Sequence, residues 1–74
     1  MEIKLKVNID LELITKLREK NNYSISYVAS EIGYKTPTGY WLIEKGQRKI
    51  NVEILYKLAK LYKANMEDLL QISE

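Results

Sequence analysis

Residues 24–49 read SISYVASEIGYKTPTGYWLIEKGQRK and contain two short helical segments separated by a turn. The first segment begins at Ser24, which caps it, and has apolar residues at helical spacing. It ends at Gly33, because glycine tolerates the left-handed conformation that closes a helix. The second begins at Thr36 and Pro37, since a capping hydroxyl and a proline at the first helical position both suit a helix N-terminus. Gly46 ends this segment. The stretch therefore predicts a helix, a tight turn and a second helix.

Three further helices are predicted outside this stretch. Asp10 caps a first helix and Asn51 caps a fourth, and Asn65 begins a capping box for a last short helix. Since 74 residues leave room for one domain, the predicted fold class is all-α: a compact five-helix domain over residues 10–74, with a helix-turn-helix at helices 2 and 3. The apolar residues of the last helix are Met66, Leu69, Leu70 and Ile72.

Residues 1–9 form an N-terminal arm ahead of the helices. Residues 2–7 read EIKLKV, a polar and apolar alternation that is typical of a short strand with one buried face. Because one strand is not a sheet, three arrangements stay open: a frayed end, packing against the helices, or pairing with the same segment of a second copy. The arm has no basic segment followed by an apolar block, so we expect no signal peptide and a cytoplasmic protein.

Composition excludes most enzyme chemistry. The sequence contains no cysteine and no histidine, so disulfides, thiolate nucleophiles, imidazole bases and the usual zinc or iron ligand sets are absent. The acidic residues fall on helix caps or exposed faces and form no convergent pair. No apolar run approaches the roughly 20 residues that cross a bilayer. We therefore expect no enzyme activity, no metal, no cofactor, no small-molecule substrate and no membrane partner.

The charge is distributed unevenly along the chain. Residues 1–34 are balanced, residues 35–63 carry seven basic and two acidic residues, and residues 64–74 carry three acidic residues and no basic one. A basic middle of this kind either holds phosphates or is a solvated helical face, and charge alone does not separate these interpretations.

An exposed second helix followed by a basic loop, here Gln47, Arg48 and Lys49, is the arrangement that places a helix in a DNA major groove. The ordered motifs of the chain resemble the Cro/repressor type of helix-turn-helix family, the xenobiotic-response-element-like transcriptional regulators, whose domains are lambda-repressor-like. The matching motifs are LR at 17–18, VASEIG at 28–33, IEKGQR at 43–48, LYKLA at 55–59 and MEDLL at 66–70. The resemblance implies an ion pair between Arg18 and Glu44 that connects the first helix to the end of the third.

The chain has one residue more than the family's usual spacing between the turn glycine and the glycine that ends the third helix. If the extra residue lies in the turn, Tyr40 and Ile43 face the core; if it lies within the helix, Gly39 and Leu42 are buried instead. The first arrangement gives the better packed core, so we predict it.

The predicted DNA-contacting surface is unusually apolar. The family commonly uses glutamine, asparagine or arginine to distinguish base pairs, whereas threonine, tryptophan and leucine chiefly sense the thymine methyl group. Ile25 replaces the family's polar phosphate contact, which leaves two nearby serines as donors. Trp41 contacts either DNA or a partner protein. The candidate DNA-binding residues are Ser24, Ser26, Lys35, Thr36, Thr38, Trp41, Leu42, Lys45, Gln47, Arg48 and Lys49.

The sequence thus predicts a sequence-specific DNA-binding transcriptional regulator, a repressor of phage or mobile-element type. It would bind palindromic double-stranded operator DNA as a homodimer, because one recognition helix contacts only a few base pairs. The dimer interface is either the last helix, which we favour, or the segment from Ile3 to Val7 pairing as a strand. The alternative function is a protein-interaction module or antitoxin that uses the Trp41 and Leu42 surface on the same scaffold.

Overall fold

A computed structural model describes residues 3–74 and shows four α-helices, one turn of 3-10 helix and a small sheet. Met1 and Glu2, which the sequence analysis placed in the N-terminal arm, lie outside the described residues. In chain order the elements are β1 (Lys6–Ile9), α1 (Leu11–Lys20), α2 (Ile25–Glu31), α3 (Pro37–Glu44), α4 (Val52–Leu61), the 3-10 turn (Met66–Leu69) and β2 (Leu70–Ser73).

Three of the four α-helices begin at a side-chain oxygen that accepts a backbone N–H bond three residues further on. The capping residues are Asp10 at 3.1 Å, Ser24 at 2.9 Å and Asn51 at 2.8 Å, as the sequence predicted. In α3 the Thr36 side chain makes no capping bond, and Pro37 occupies the first helical position, where its missing N–H removes no hydrogen bond. The helix starts are therefore encoded locally.

Gly33 and Gly46 close α2 and α3 with φ angles of +98° and +73°. Residues with a side chain rarely adopt this left-handed conformation, so glycine is required at both turns. The Tyr34 N–H reaches back to the Ala29 carbonyl at 2.9 Å, which reverses the chain within two residues of α2. The turn between α2 and α3 is consequently short and fixed.

One hydrophobic core unites the four α-helices and the 3-10 turn. Tyr40 and Ile43 are fully buried in it, which confirms the predicted rotation of α3, and Leu42 is only partly buried. Gly39 is also buried, so the buried face of α3 is wider than predicted. The largest fully buried side chains are Tyr40, Ile14, Ile32, Ile43, Leu58, Leu69 and Val28.

The all-α, five-helix prediction is wrong at the C-terminal end. The predicted last helix stops after one 3-10 turn at Leu69, and β2 pairs antiparallel with β1, with Val7 opposite Ile72 and Ile9 opposite Leu70. None of the three arrangements expected for the arm included pairing with another strand of the same chain. Residues 70–73 alternate apolar and polar side chains with period two, and a helix this short gains too few hydrogen bonds to offset its nucleation. A neighbouring strand of matching pattern therefore captures the segment.

No helix within residues 3–74 has both the length and the apolar character that spanning a membrane requires.

Candidate nucleic-acid interface

The outer side of α3 presents four residues at the spacing i, i+3, i+4 and i+7, which places them on one face of a helix. We call these residues, Thr38, Trp41, Leu42 and Lys45, the α3 stripe. Trp41 is 44% exposed, Thr38 and Lys45 are exposed, and Leu42 is partly buried. The Lys45 Nζ lies 5.7 Å from the centroid of the Trp41 ring, within the range of a cation–π contact. Two members of the stripe therefore contact each other at the surface.

A charged pair connects α3 to α1. The Arg18 Nε donates to Glu44 Oε2 at 2.6 Å and Nη2 donates to Oε1 at 3.2 Å, while Nη1 donates to the Tyr23 carbonyl at 3.2 Å. The side chains are only 17% and 6% exposed. The structure thus brings the two predicted partners together as a bidentate pair and adds a third bond to the loop before α2. These bonds fix the C-terminal end of α3.

The pKa values in this cluster follow from its burial and from its hydrogen bonds. Burial acts to raise the pKa of the Glu44 carboxyl, but the Arg18 guanidinium and the Tyr40 hydroxyl together hold it below its usual value. The bond to Glu44 raises the pKa of Arg18. Burial raises the pKa of Tyr40, and the neighbouring Glu44 and Tyr62 raise it further. At neutral pH Glu44 is therefore ionised and paired.

Sequence reasoning missed a tyrosine cluster that connects α3 to α4. The hydroxyls of Tyr40 and Tyr62 lie 2.9 Å apart in the core, and burial raises the pKa of Tyr62 to about 12. Tyr23 stacks against Tyr62 with a centroid distance of 6.3 Å, and its ring lies tilted against that of Tyr27 at 4.7 Å. The only signal in the sequence was the number of tyrosines, six, in a chain without phenylalanine. With the ion pair, this cluster holds α3 against two other helices.

Tyr34 is a second residue of the site that no sequence pattern indicated. The Arg48 guanidinium carbon lies 5.3 Å from the centroid of the Tyr34 ring. A Cβ atom on Gly39 would lie 2.7 Å from Tyr34 Cγ and 3.1 Å from Arg48 Nη1, so the ring packs directly on the backbone of α3. Glycine inside a helix costs about 1 kcal/mol relative to alanine, which was an available signal of such a close approach. Arg48 is thereby positioned beside the first turn of α3.

The remaining predicted contact residues lie at the surface. The Ser24 oxygen caps α2 and its hydroxyl hydrogen stays free to donate. We define the basic loop as Gln47, Arg48 and Lys49, all exposed. The other exposed candidates are Ser26, Lys35 and Thr36.

The predicted dimer residues are only partly at the surface. Leu69 is fully buried in its own core and offers no surface to a partner, which corrects its assignment to an outer helix face. Met66 and Leu70 are partly buried against the core. Ile72 is 50% exposed and lies opposite Val7, which is 54% exposed. Val7 and Ile72, one from each of the two predicted dimer surfaces, therefore lie side by side on one face of the ribbon.

The fold and this surface define a helix-turn-helix domain with an exposed second helix and an adjacent basic loop. A helix-turn-helix family model matches residues 14–69, and the chain belongs to this Cro/C1-type helix-turn-helix family. The chain is 36% identical over 62 residues to a protein of Bacillus subtilis (strain 168), the HTH-type transcriptional regulator AnsR. The aligned region covers 84% of the chain and 53% of AnsR, so the chain spans about half the length of this relative.

Proposed function

We propose that the chain is a sequence-specific DNA-binding transcriptional regulator that acts as a repressor of phage or mobile-element type. The observation that carries the proposal is the α3 stripe, an exposed helix face whose opposite side is packed in the core. Family membership and the transcriptional regulator AnsR support the same function. Acting on a bacterial chromosome, such a protein works in the cytoplasm.

The electrostatics of the interface favour a polyanion. Glu44 is the one acid in α3, and its charge is neutralised by Arg18. Lys45 extends the α3 stripe toward the basic loop, where Arg48 and Lys49 are exposed. A helix that lies in the major groove, with cations beside it that bind the phosphates, uses both the neutralised acid of α3 and the neighbouring basic residues. The repressor role is part of the proposal because a protein that occupies operator DNA blocks access to it without any further activity.

The salt dependence of duplex binding tests this proposal. Fluorescence anisotropy with a labelled mixed-sequence duplex of about 20 base pairs is measured at several salt concentrations between 50 and 200 mM. If about four phosphates are neutralised, affinity is expected to fall roughly 100-fold across this range because bound counterions are released. Absence of binding at the lowest salt, or an affinity that does not change with salt, would contradict the proposal.

A second candidate function is a protein-interaction module or antitoxin, which the 44% exposure of Trp41 favours. An exposed tryptophan beside Leu42 has the composition of a binding hot spot. Such a module would show no steep loss of duplex affinity with salt, so the same titration distinguishes the two functions.

We also propose that the regulator binds a palindrome as a homodimer. Val7 and Ile72 lie opposite each other on one face of the β1–β2 ribbon and are 54% and 50% exposed, and Ile3 and Leu5, in the segment before β1, are 78% and 48% exposed. These four apolar side chains carry no charge that would repel their counterparts in a second copy, so a two-fold axis can bury them against that copy. The dimer would present its two α3 helices to half-sites roughly 34–36 Å apart.

Substitution of Ile72 tests the dimer. Sedimentation velocity is expected to show a concentration-dependent dimer for the unsubstituted chain and a monomer for Ile72→Asp, because a buried unpaired charge opposes association. Gln71→Asp adds the same charge on the opposite face of β2 and should still dimerise. Circular dichroism checks that both variants fold. An unsubstituted chain that stays monomeric at high micromolar concentration, both free and on DNA, would refute the dimer.

A further inference from the structure

We infer that the α3 stripe recognises thymine through its 5-methyl group, so that the domain selects A·T base pairs by apolar contact and not by paired hydrogen bonds. The inference rests on the proposed function and adds the chemical group that α3 recognises. It assigns Thr38, Trp41 and Leu42 as the residues that determine specificity.

Three of the four residues of the stripe lack the usual means of base recognition. Bidentate recognition of guanine or adenine needs two hydrogen bonds from one side chain, as arginine, lysine, asparagine or glutamine can make. Thr38 offers one hydroxyl, Trp41 one indole N–H and Leu42 no polar group, whereas the Lys45 ammonium carries three donors and lies over the Trp41 ring. Single hydrogen bonds discriminate weakly between base pairs. Thr38, Trp41 and Leu42 therefore carry little information as a set of donors and acceptors.

The apolar surface of the stripe matches the one apolar group that a base edge presents in the major groove, the thymine methyl group. Trp41 and Leu42 are adjacent in sequence, and Thr38 lies one turn before them with its own methyl group. Uracil has the same hydrogen-bonding edge as thymine without the methyl group, and cytosine gains an equivalent methyl group when it is 5-methylated. Comparing uracil with thymine, and cytosine with 5-methylcytosine, therefore isolates the contribution of the methyl group.

The stripe is held in place before DNA binds. Tyr40 and Ile43 are fully buried on the inner side of α3 and fix its rotation. Leu42 is partly buried, which limits its freedom. The Lys45 ammonium lies over the Trp41 ring, which limits the freedom of the tryptophan side chain. Ordering them on binding therefore costs less conformational entropy than it would for free side chains.

The surroundings of Trp41 favour DNA over a protein partner. A hot spot in a protein interface is surrounded by contacts that exclude water. Here the neighbours along the helix are the exposed Thr38 and Lys45, and the basic loop follows. These polar and cationic groups suit phosphates on either side of a groove.

The test compares two alternating A·T duplexes of about 20 base pairs that differ only in thymidine or deoxyuridine. Transfer of one methyl group out of water corresponds to about a fourfold change in affinity, so contacts to two methyl groups predict roughly a fifteenfold preference for the thymidine duplex. A second pair, alternating I·C duplexes with cytosine or 5-methylcytosine, should show tighter binding to the methylated duplex. Anisotropy titrations at one fixed salt concentration measure both ratios.

Substitutions then assign the preference to the stripe. Trp41→Ala and Leu42→Ala should each lower the thymidine-to-deoxyuridine ratio, and Thr38→Ser, which removes one methyl group and keeps the hydroxyl, should lower it less. Tyr56→Ala is the matched control, because Tyr56 is an aromatic residue of α4 with 52% exposure, and it should leave the ratio unchanged. Thermal unfolding confirms that each variant is folded, and Thr38→Ser serves where a larger truncation destabilises the domain.

The outcomes separate this inference from the proposed function. Equal affinity for both duplexes, with steep salt dependence retained, would overturn thymine recognition and leave DNA binding intact. A thymidine preference that survives Trp41→Ala and Leu42→Ala would assign the preference to DNA shape and also overturn it. Failure to bind any duplex at low salt would remove both the inference and the function on which it rests.

Discussion

Arg18→Ala is expected to lower the melting temperature by more than about 10 °C. The substitution leaves the Glu44 carboxylate, which is 6% exposed, without its counter-charge and without two hydrogen bonds. Removing one partner of a buried pair costs on the order of 3–5 kcal/mol. A domain of this size loses roughly 4–8 °C per kcal/mol. Differential scanning calorimetry measures the change directly.

Lys16→Ala is the matched control for this prediction. Lys16 also lies on α1 and pairs with Glu12 at 3.1 Å, but the two side chains are 69% and 78% exposed. An exposed pair of this kind contributes at most about 0.5 kcal/mol, so its loss should shift the melting temperature by only a few degrees. Equal shifts for Arg18→Ala and Lys16→Ala would show that the connection between α1 and α3 contributes little.

The double variant Arg18→Ala/Glu44→Gln identifies the cause of the destabilisation. Glutamine removes the buried charge, so the double variant should be more stable than Arg18→Ala alone. The pKa of Glu44 is lowered in the folded state, so its contribution to stability is present above the ordinary pKa of 4.5 and is lost as pH falls through the folded value. Acid unfolding of the original chain should therefore include this loss, and the double variant should lack it.

The local parts of this structure could be predicted from sequence. The caps at Asp10, Ser24 and Asn51 each depend on a side chain and a backbone N–H three residues apart, so composition and spacing were sufficient. The rotation of α3 followed from burial of Tyr40 and Ile43 at helical spacing. The partnership of Arg18 and Glu44 came from the family resemblance, because nothing local relates residues that far apart.

The parts that could not be predicted depend on contacts between distant segments. Residues 70–73 become a strand because β1 lies beside them, and period-two alternation over four residues does not by itself exclude a helix. The contact of Tyr34 with Gly39 and Arg48 is similarly invisible to periodicity. It nevertheless matters for the interface, since it determines where the Arg48 charge lies.

The double variant Arg48→Ala/Lys49→Ala is expected to weaken binding to every duplex by roughly tenfold per residue at 100 mM salt. If each cation neutralises one phosphate, the slope of log affinity against log salt should fall by about 0.9 per residue. Thymidine and deoxyuridine duplexes should lose affinity equally, because phosphate contacts carry no base information. Anisotropy titrations over a range of salt concentrations measure both the slope and the ratio.

A second double variant, Lys60→Ala/Lys63→Ala, removes the same net charge at residues outside α2, α3 and the basic loop. It should change the slope much less, since only cations in contact with phosphates displace condensed counterions. Tyr34→Ala keeps the Arg48 charge but removes the ring over which its guanidinium lies. It should therefore lower the affinity for DNA while leaving the slope of log affinity against log salt largely unchanged. Equal slopes for the two charge-removing variants would mean that the basic loop acts only through net charge, and that α3 approaches DNA from a different side.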